Sequence, residues 1–108
     1  MLVSSGSSFT AGANLVVSGS QGQGVFVTND SHADLDGSSI TGSQHGGLVV
    51  VNQSSTAVGS QHPPTVISGN GTDLFCDTGS FTTGGSNIAN ATSLQCVNLL
   101  PGNNVPIP

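Results

Sequence analysis

The chain of 108 residues contains neither lysine nor arginine, and its only acidic side chains are five aspartates, which give a formal net charge of −5. Proteins that bind nucleic acids neutralise phosphates with lysine and arginine, so we expect no nucleic-acid partner. Attraction to an anionic membrane surface depends on the same cations and is not expected either.

Tryptophan, tyrosine and long apolar runs are also missing. A membrane-spanning helix needs about 18 or more consecutive apolar residues, so no membrane insertion is expected. The stretch from Met1 to Val3 lacks the basic and apolar regions of a signal peptide. This length predicts one domain with a modest core.

What the chain does contain is a set of short apolar runs that recur with a nearly constant period. One row of runs ends at a polar corner residue, and the corners are 23, 25 and 21 residues apart. Abundant serine, glycine and asparagine are also typical of disorder, but a disordered chain has no reason to keep valine and isoleucine in register. The corner residues are Asn29, Asn52, Asp77 and Asn98, and the predicted core rows are Val17, Ile40, Ile67 and Ile88, with Val27, Val50 and Phe75.

Repetition at this period, with three β-rich segments per repeat, predicts an all-β protein that folds as a single-stranded parallel β-helix, or β-solenoid. Helical repeats are excluded because no stretch has the 3.6-residue period. Residues 99–108 are rich in proline and are predicted to leave the solenoid as a tail. The solenoid itself is predicted over residues 1–98, with about four coils of 21–27 residues: an irregular first coil over 1–23, then 24–46, 47–71 and 72–98.

The short valine and isoleucine strands, the Asn or Asp at one recurrent corner and turns such as Ile40-Thr41-Gly42 resemble the repeats of the pectin-lyase-like superfamily. The resemblance extends from about Phe9 to Asn98. It implies a right-handed coil, in agreement with the general preference for right-handed parallel crossovers. It implies no single activity, because that superfamily includes lyases, hydrolases, phage tailspikes, adhesins and non-catalytic surface proteins.

The densest group of acids is Asp30, Asp34 and Asp36. On a continuous strand, Asp34 and Asp36 would share one face about 6.6 Å apart, which is the separation found in inverting glycosidases. However, the catalytic motifs of the polygalacturonase-like relatives are missing, and the lyase-like members use basic residues. We therefore expect no enzyme and no cofactor, with a Ca²⁺ or other ligand site at these three acids as the alternative.

Other polar residues are interpreted as structural. The histidines at positions 32, 45 and 62 lie beside predicted turns and are interpreted as loop residues rather than metal ligands. An ice-binding face needs repeated Thr-x-Thr, whereas Thr28 is followed by Val51 in the next coil. Four Asn-x-Ser/Thr sequences are interpreted as chance matches in a chain rich in serine and threonine; they begin at Asn29, Asn52, Asn70 and Asn90.

Cys76 and Cys96 occur in matching contexts, Leu-Phe-Cys and Leu-Gln-Cys, 20 residues apart. A separation of one coil would place them on adjacent rungs, about 4.8 Å apart, where a disulfide can form. Counting from the corner residues instead places Cys96 over Phe75. We favour a disulfide, with two buried thiols or a metal pair as alternatives, and a disulfide would indicate an oxidising compartment.

A solenoid has unpaired strand edges at both ends, which must be covered or used. We therefore predict a non-catalytic, extracellular structural protein. It either self-associates end to end into a fibre or forms a segment of a longer surface β-helix, so its partner is another copy or the rest of a longer chain. The alternative is a carbohydrate-binding or degenerate polysaccharide-active module that binds glycans near Asp30, Asp34 and Asp36.

Overall fold

The computed structural model describes residues 1–11, 15–58, 65–84, 88–89 and 91–100. Thirteen β-strands form in these ranges, and no helix in them is long and apolar enough to span a membrane. In chain order the strands are β1 (Leu2–Val3), β2 (Ser8–Thr10), β3 (Val16–Ser18), β4 (Val25–Val27), β5 (His32–Asp34), β6 (Ser39–Thr41), β7 (Gly46–Val50), β8 (Ser55–Ala57), β9 (Thr65–Ser68), β10 (Thr72–Cys76), β11 (Phe81–Thr83), β12 (Ile88–Ala89) and β13 (Leu94–Cys96).

The strands form three parallel sheets, which confirms the predicted solenoid and its three strands per coil. Sheet A has the order β1-β4-β7-β10-β13, sheet B the order β2-β5-β8-β11 and sheet C the order β3-β6-β9-β12. Each successive rung adds one strand to every sheet. The chain passes four times through sheets B and C and five times through sheet A, about three turns between the first and last strands of sheet B.

Sheet A shows how the sequence repeat fixes the register. Its pairings align one inward position in all five strands, with steps of 24, 23, 26 and 20 residues. Side chains alternate between the two faces of a strand, so the residue before each of these points outward. The aligned inward residues are Val3, Val27, Val50, Cys76 and Cys96, of which Val27 and Val50 are fully buried.

The assignment of Phe75 to the core is wrong. Phe75 is 37% exposed, whereas Leu74 and Cys76 on either side of it are buried. The prediction placed the inward residue two positions before each corner residue. This spacing holds in the two preceding rungs, where Asn29 and Asn52 follow Val27 and Val50 by two positions. Asp77, however, follows its inward residue Cys76 directly. One residue of difference moves a side chain from one face of a strand to the other.

Sheet C contains the other predicted core row. Val17, Ile40 and Ile67 are aligned, and both isoleucines are fully buried. Ile88 pairs with Thr65 instead of Ile67, so the predicted row is displaced by two residues in the last rung. Four residues separate β11 from β12 but seven separate β8 from β9, and a fixed count along the chain misses this difference. Ile88 still packs against the core.

The core is filled from all three sheets, and sheet B contributes small and hydroxylated side chains. Its inward column includes Ala33, Thr56 and Thr82, all with no exposed surface. The hydroxyl groups of Thr56 and Thr82 are 2.8 Å apart and hydrogen-bonded to each other. This pairing lets two polar groups remain in an apolar interior without losing their hydrogen bonds.

The solenoid continues slightly beyond its predicted end at residue 98. Leu99 forms a parallel bridge with Thr82, and the backbone N–H of Leu100 donates to the carbonyl of Thr82 at 2.8 Å. Residues 98–100 therefore lie on β11 as the next pass through sheet B. The rest of the predicted tail, residues 101–108, lies outside the described residues.

Candidate functional site

The corner between sheets A and B has the same backbone geometry in successive rungs. Asn29-Asp30 and Asn52-Gln53 all have φ between 59° and 63°. This left-handed region is sparsely populated except by glycine, asparagine and aspartate, which explains why asparagine recurs there. The Asn52 side-chain amide donates to the Thr28 hydroxyl of the preceding rung at 2.8 Å.

The last two corners link their rungs by other groups. The Asp77 carboxylate accepts a hydrogen bond of 2.9 Å from the backbone N–H of Asn52. This bond, together with one from the Ser80 hydroxyl, holds the pKa of Asp77 below its ordinary value. The Asn98 amide donates to the carbonyls of Thr78 and Ser80, both at 3.2 Å. The corner side chains thus join neighbouring rungs through hydroxyl, carbonyl and backbone N–H groups.

Behind the corner, buried serines form a ladder that sequence reasoning missed. The backbone N–H groups of Ser7, Ser31 and Ser54 donate to the hydroxyl oxygens of Ser31, Ser54 and Ser80, at 3.2, 3.1 and 3.1 Å. The signal was present in the sequence. The Asn-x-Ser sequences that begin at Asn29 and Asn52 each pair a corner asparagine with a ladder serine, so both residues of each pair have a structural role.

Outside the corner lies an open groove of about 570 Å³. Its lining is polar, which suits a ligand rich in hydroxyl groups. Of the three acids predicted to bind a ligand, only Asp30 lies in it. The lining residues are Asn29, Asp30, Asn52, Gln53, Asp77 and Gly79.

Asp34 and Asp36 do not occupy one strand face as predicted. Strand β5 ends at Asp34, and Asp36 lies in the following turn. The backbone N–H of Asp36 donates to the Asp34 carboxylate at 3.2 Å, because aspartate often bonds to the backbone two residues later. The strand spacing that suggested a glycosidase pair is therefore not formed.

Neither the three candidate acids nor the histidines interpreted as loop residues form a metal site among the described residues. Within the described ranges, no group of three or more His, Cys, Asp or Glu side chains is placed to hold a metal ion. The His32 ring bonds to the Ser55 hydroxyl of the next rung at 2.7 Å, and His45 is exposed. His62 and Asn90 lie outside the described residues.

A buried carboxylate forms the most densely bonded polar group in the described chain. Asp73 is 1% exposed; its Oδ1 accepts from the backbone and side chain of Asn70, at 3.1 and 3.0 Å. Its Oδ2 accepts from the backbone N–H groups of Thr92 and Ser93, at 2.9 and 3.3 Å. Gly47 in the preceding rung leaves room for this arrangement, since a Cβ there would lie 2.5 Å from Asn70 Nδ2.

The ionisation of Asp73 follows from these bonds. Burial alone would raise its pKa, but the hydrogen bonds from Thr92, Asn70 and Ser93 outweigh that effect and lower the pKa below its ordinary value. In a chain without lysine or arginine, the buried charge is stabilised by N–H donors and by the Thr92 hydroxyl, which donates to Oδ2 at 3.4 Å. The cluster links the end of β9 in sheet C, through Asn70, to β10 in sheet A and to residues 92–93 before β13. These contacts give it a structural role.

The two cysteines are joined in a disulfide, with 4.3 Å between their Cα atoms. This confirms the pairing favoured from their matching contexts and shows that the alternative count, which placed Cys96 over Phe75, is wrong. The bond connects β10 to β13 inside the sheet A column. Beside it lies a mainly apolar depression of about 600 Å³, lined by Phe75, Cys76, Asp77, Thr78, Gln95, Cys96 and Val97.

The two ends of the solenoid leave inward apolar side chains incompletely covered by the described residues. At the first rung, formed by β1, β2 and β3, Phe9 and Val17 are only half-buried although both point toward the core. At the opposite end, Leu94 lies in the inward column of Leu48 and Leu74 but is 45% exposed. Each end thus exposes apolar side chains that belong to the core.

Comparison with known proteins supplies no further guide to function: no protein-family description, curated protein or solved structure matches this chain. The functional argument therefore rests on the geometry of the described residues.

Proposed function

We propose that this chain is a non-catalytic structural solenoid whose copies associate end to end into a fibre. One observation carries the proposal: in the described structure, each strand of the first rung has a hydrogen-bonded neighbour on one side only. Among the described residues, the outer edges of β1, β2 and β3 have no strand partner, and unpaired parallel edges are templates for pairing.

Two further features support an assembly role. Partly exposed core residues, Phe9 and Val17 at one end and Leu94 at the other, favour burial against another rung. The disulfide is typical of proteins that mature in an oxidising compartment, which supports a function outside the cell as part of this proposal. Kinship with pectin-lyase-like proteins forms part of the proposal and is supported by the three parallel sheets and the asparagine corner.

The assembly is tested with the purified chain over a concentration series. Light scattering should show a mean mass that rises above that of the monomer with concentration, and electron microscopy should show filaments one solenoid wide. A chain that stays monomeric throughout would contradict the proposal. It would favour the other structural form, in which the next rung belongs to a longer chain.

A second candidate function, carbohydrate binding, is favoured by the polar corner groove. Its amide and carboxylate groups can hydrogen-bond to sugar hydroxyls, and it extends over three rungs. We expect a glycan array to identify a ligand if this function exists, and Asp30→Ala to weaken its binding at least about tenfold, the loss of one charge-assisted hydrogen bond. The matched control is Asp34→Ala, which lies outside the groove; equal losses in both variants would argue against a site there.

A further inference from the structure

The first and last strands of sheet A present matching faces: in each, inward and outward side chains alternate in the same order. The last strand, β13, presents Leu94 and Cys96 inward and Gln95 outward, and the first strand, β1, presents Val3 inward and Leu2 outward. All neighbours in the sheet run parallel. A second copy placed with β1 on β13 would therefore continue the sheet with the same polarity and the same alternation of faces.

Sheet B continues in the same manner. Residues 98–100 already lie on β11, with Leu99 opposite the inward residue Thr82. Strand β2 presents Phe9 as its inward residue, opposite Ala33. Stacking β2 of one copy on residues 98–100 of another would place Phe9 over Leu99 and bury both.

The corner between these sheets in the first rung resembles that of the next rung. In the first rung, Ser5 and Gly6 have φ of 62° and 73°, close to the values of 59° and 62° at Asn29 and Asp30 in the rung above. The first rung thus has the corner geometry of the two rungs that follow it. The corner of the last pass is shorter, since Leu99 follows Cys96 by three positions whereas Phe9 follows Val3 by six. The proposed register is therefore set by the paired strands on either side of the corner.

The charge distribution permits this contact. All five acidic side chains lie between Asp30 and Asp77, so neither the first rung nor the stretch 91–100 carries a charged carboxylate side chain. Although the whole chain has a net charge of −5, the two faces that would meet carry none of its acidic side chains. Like charges would otherwise oppose association of identical molecules, since they are not neutralised by any cationic side chain.

From these observations we infer a specific head-to-tail register, which rests on the proposed assembly function: β1 of one copy pairs with β13 of the next, and β2 pairs with residues 98–100. Leu2 then lies opposite Gln95, and Thr10 lies opposite Leu100. The two contacting surfaces are different, so the contact is heterologous. Each copy continues the sheets in the direction in which the rungs stack, so the contacts do not close and repetition produces an open filament.

Engineered cysteines test the register. Thr10 and Leu100 are exposed and point outward, away from the native disulfide. In the double variant Thr10→Cys/Leu100→Cys, the new thiols of adjacent copies should lie about 4.8 Å apart, as the strands of a sheet do. The native pair shows that stacked cysteines at such a separation can bond. With oxidised glutathione as the oxidant, we expect a ladder of covalent oligomers on a non-reducing gel.

The controls separate this arrangement from others. Within one chain the two new cysteines are four rungs apart, about 19 Å, so they cannot bond to each other. Each single variant should remain uncrosslinked, and a mixture of the two single variants should stop at a covalent dimer. Ser8→Cys/Leu100→Cys is out of register by two residues, about 8 Å between Cα atoms, and should give no ladder.

The outcomes distinguish the register from the function. A second pair, Leu2→Cys/Gln95→Cys, tests the register in sheet A. If the native chain assembles but neither this pair nor Thr10→Cys/Leu100→Cys gives a ladder, the register is overturned while the assembly function stands. A ladder from the mismatched pair, or dimers from a single variant, would also overturn it. A native chain that is monomeric at every concentration overturns both.

Discussion

Asp73→Asn is expected to lower the free energy of unfolding by about 3 kcal/mol at neutral pH, because hydrogen bonds to a buried charged group are worth about 1.5–3 kcal/mol each. The substitution keeps the size of the side chain but leaves only one acceptor oxygen. Both oxygens of Asp73 accept bonds from N–H groups, so in either orientation the new amide turns its own N–H groups toward donors. Urea denaturation of the variant and the native chain measures the difference.

The matched control is Asp30→Asn, the same change at an exposed corner residue. Surface substitutions of this kind usually change stability by less than about 0.5 kcal/mol. A similar loss in both variants would mean that net charge, and not the buried cluster of Asp73 with Asn70, determines the effect.

The effect of Asp73→Asn should also depend on pH. The pKa of Asp73 is lowered in the folded chain, so its contribution to stability is fully present above the unfolded value of about 3.9 and is lost as the pH falls through the folded value. The difference between native chain and variant should therefore shrink below about pH 4. A difference that stays constant down to pH 2 would contradict this assignment.

Removal of the disulfide by Cys76→Ala/Cys96→Ala is expected to lower stability by about 3 kcal/mol. The bond closes a loop of 20 residues, and a loop of this length restricts the unfolded chain by about that free energy. Hydrogen exchange should show the largest loss of protection in β13 and residues 97–100, which the bond fastens to the preceding rung.

The control for this experiment is the reducing agent itself. Dithiothreitol should destabilise the native chain by a similar amount and leave the double variant unchanged. If the variant unfolds with the same midpoint as the oxidised native chain, the bond contributes little, and β13 is held by the sheet alone.

Residues that repeat in every rung made the fold predictable. Val27 and Val50, each two positions before a corner asparagine, show the strand and the turn together, and the structure aligns them. The asparagine is informative because few residues tolerate the left-handed backbone found at Asn29 and Asn52. A feature that physical chemistry restricts to few residue types, and that recurs at one period, can be recognised in a single sequence.

Features that occur once were not predictable. The shortened corner at Asp77 shifted the face assigned to Phe75, and the turn after Asp34 removed Asp36 from the strand. The hydrogen bonds between Asp73 and residues 92–93 form because the next rung lies beside Asp73. The residues around Asp73 in the sequence do not indicate this contact. The ladder serines Ser31 and Ser54 recur in the sequence, but their bonds to the neighbouring rungs depend on burial beside the corner, which serine alone does not indicate.

The serine ladder implies a particular way for this chain to change length. Each ladder hydroxyl accepts a hydrogen bond from a backbone N–H of the preceding rung, and Ser31, Ser54 and Ser80 do so in turn. A duplicated or deleted rung would therefore meet neighbours that already carry the required partner. The steps of 24, 23 and 26 residues between successive ladder serines show that a rung also accommodates a few extra residues between its ladder positions. Related chains should therefore differ mainly in their number of turns, with small differences of length within a turn.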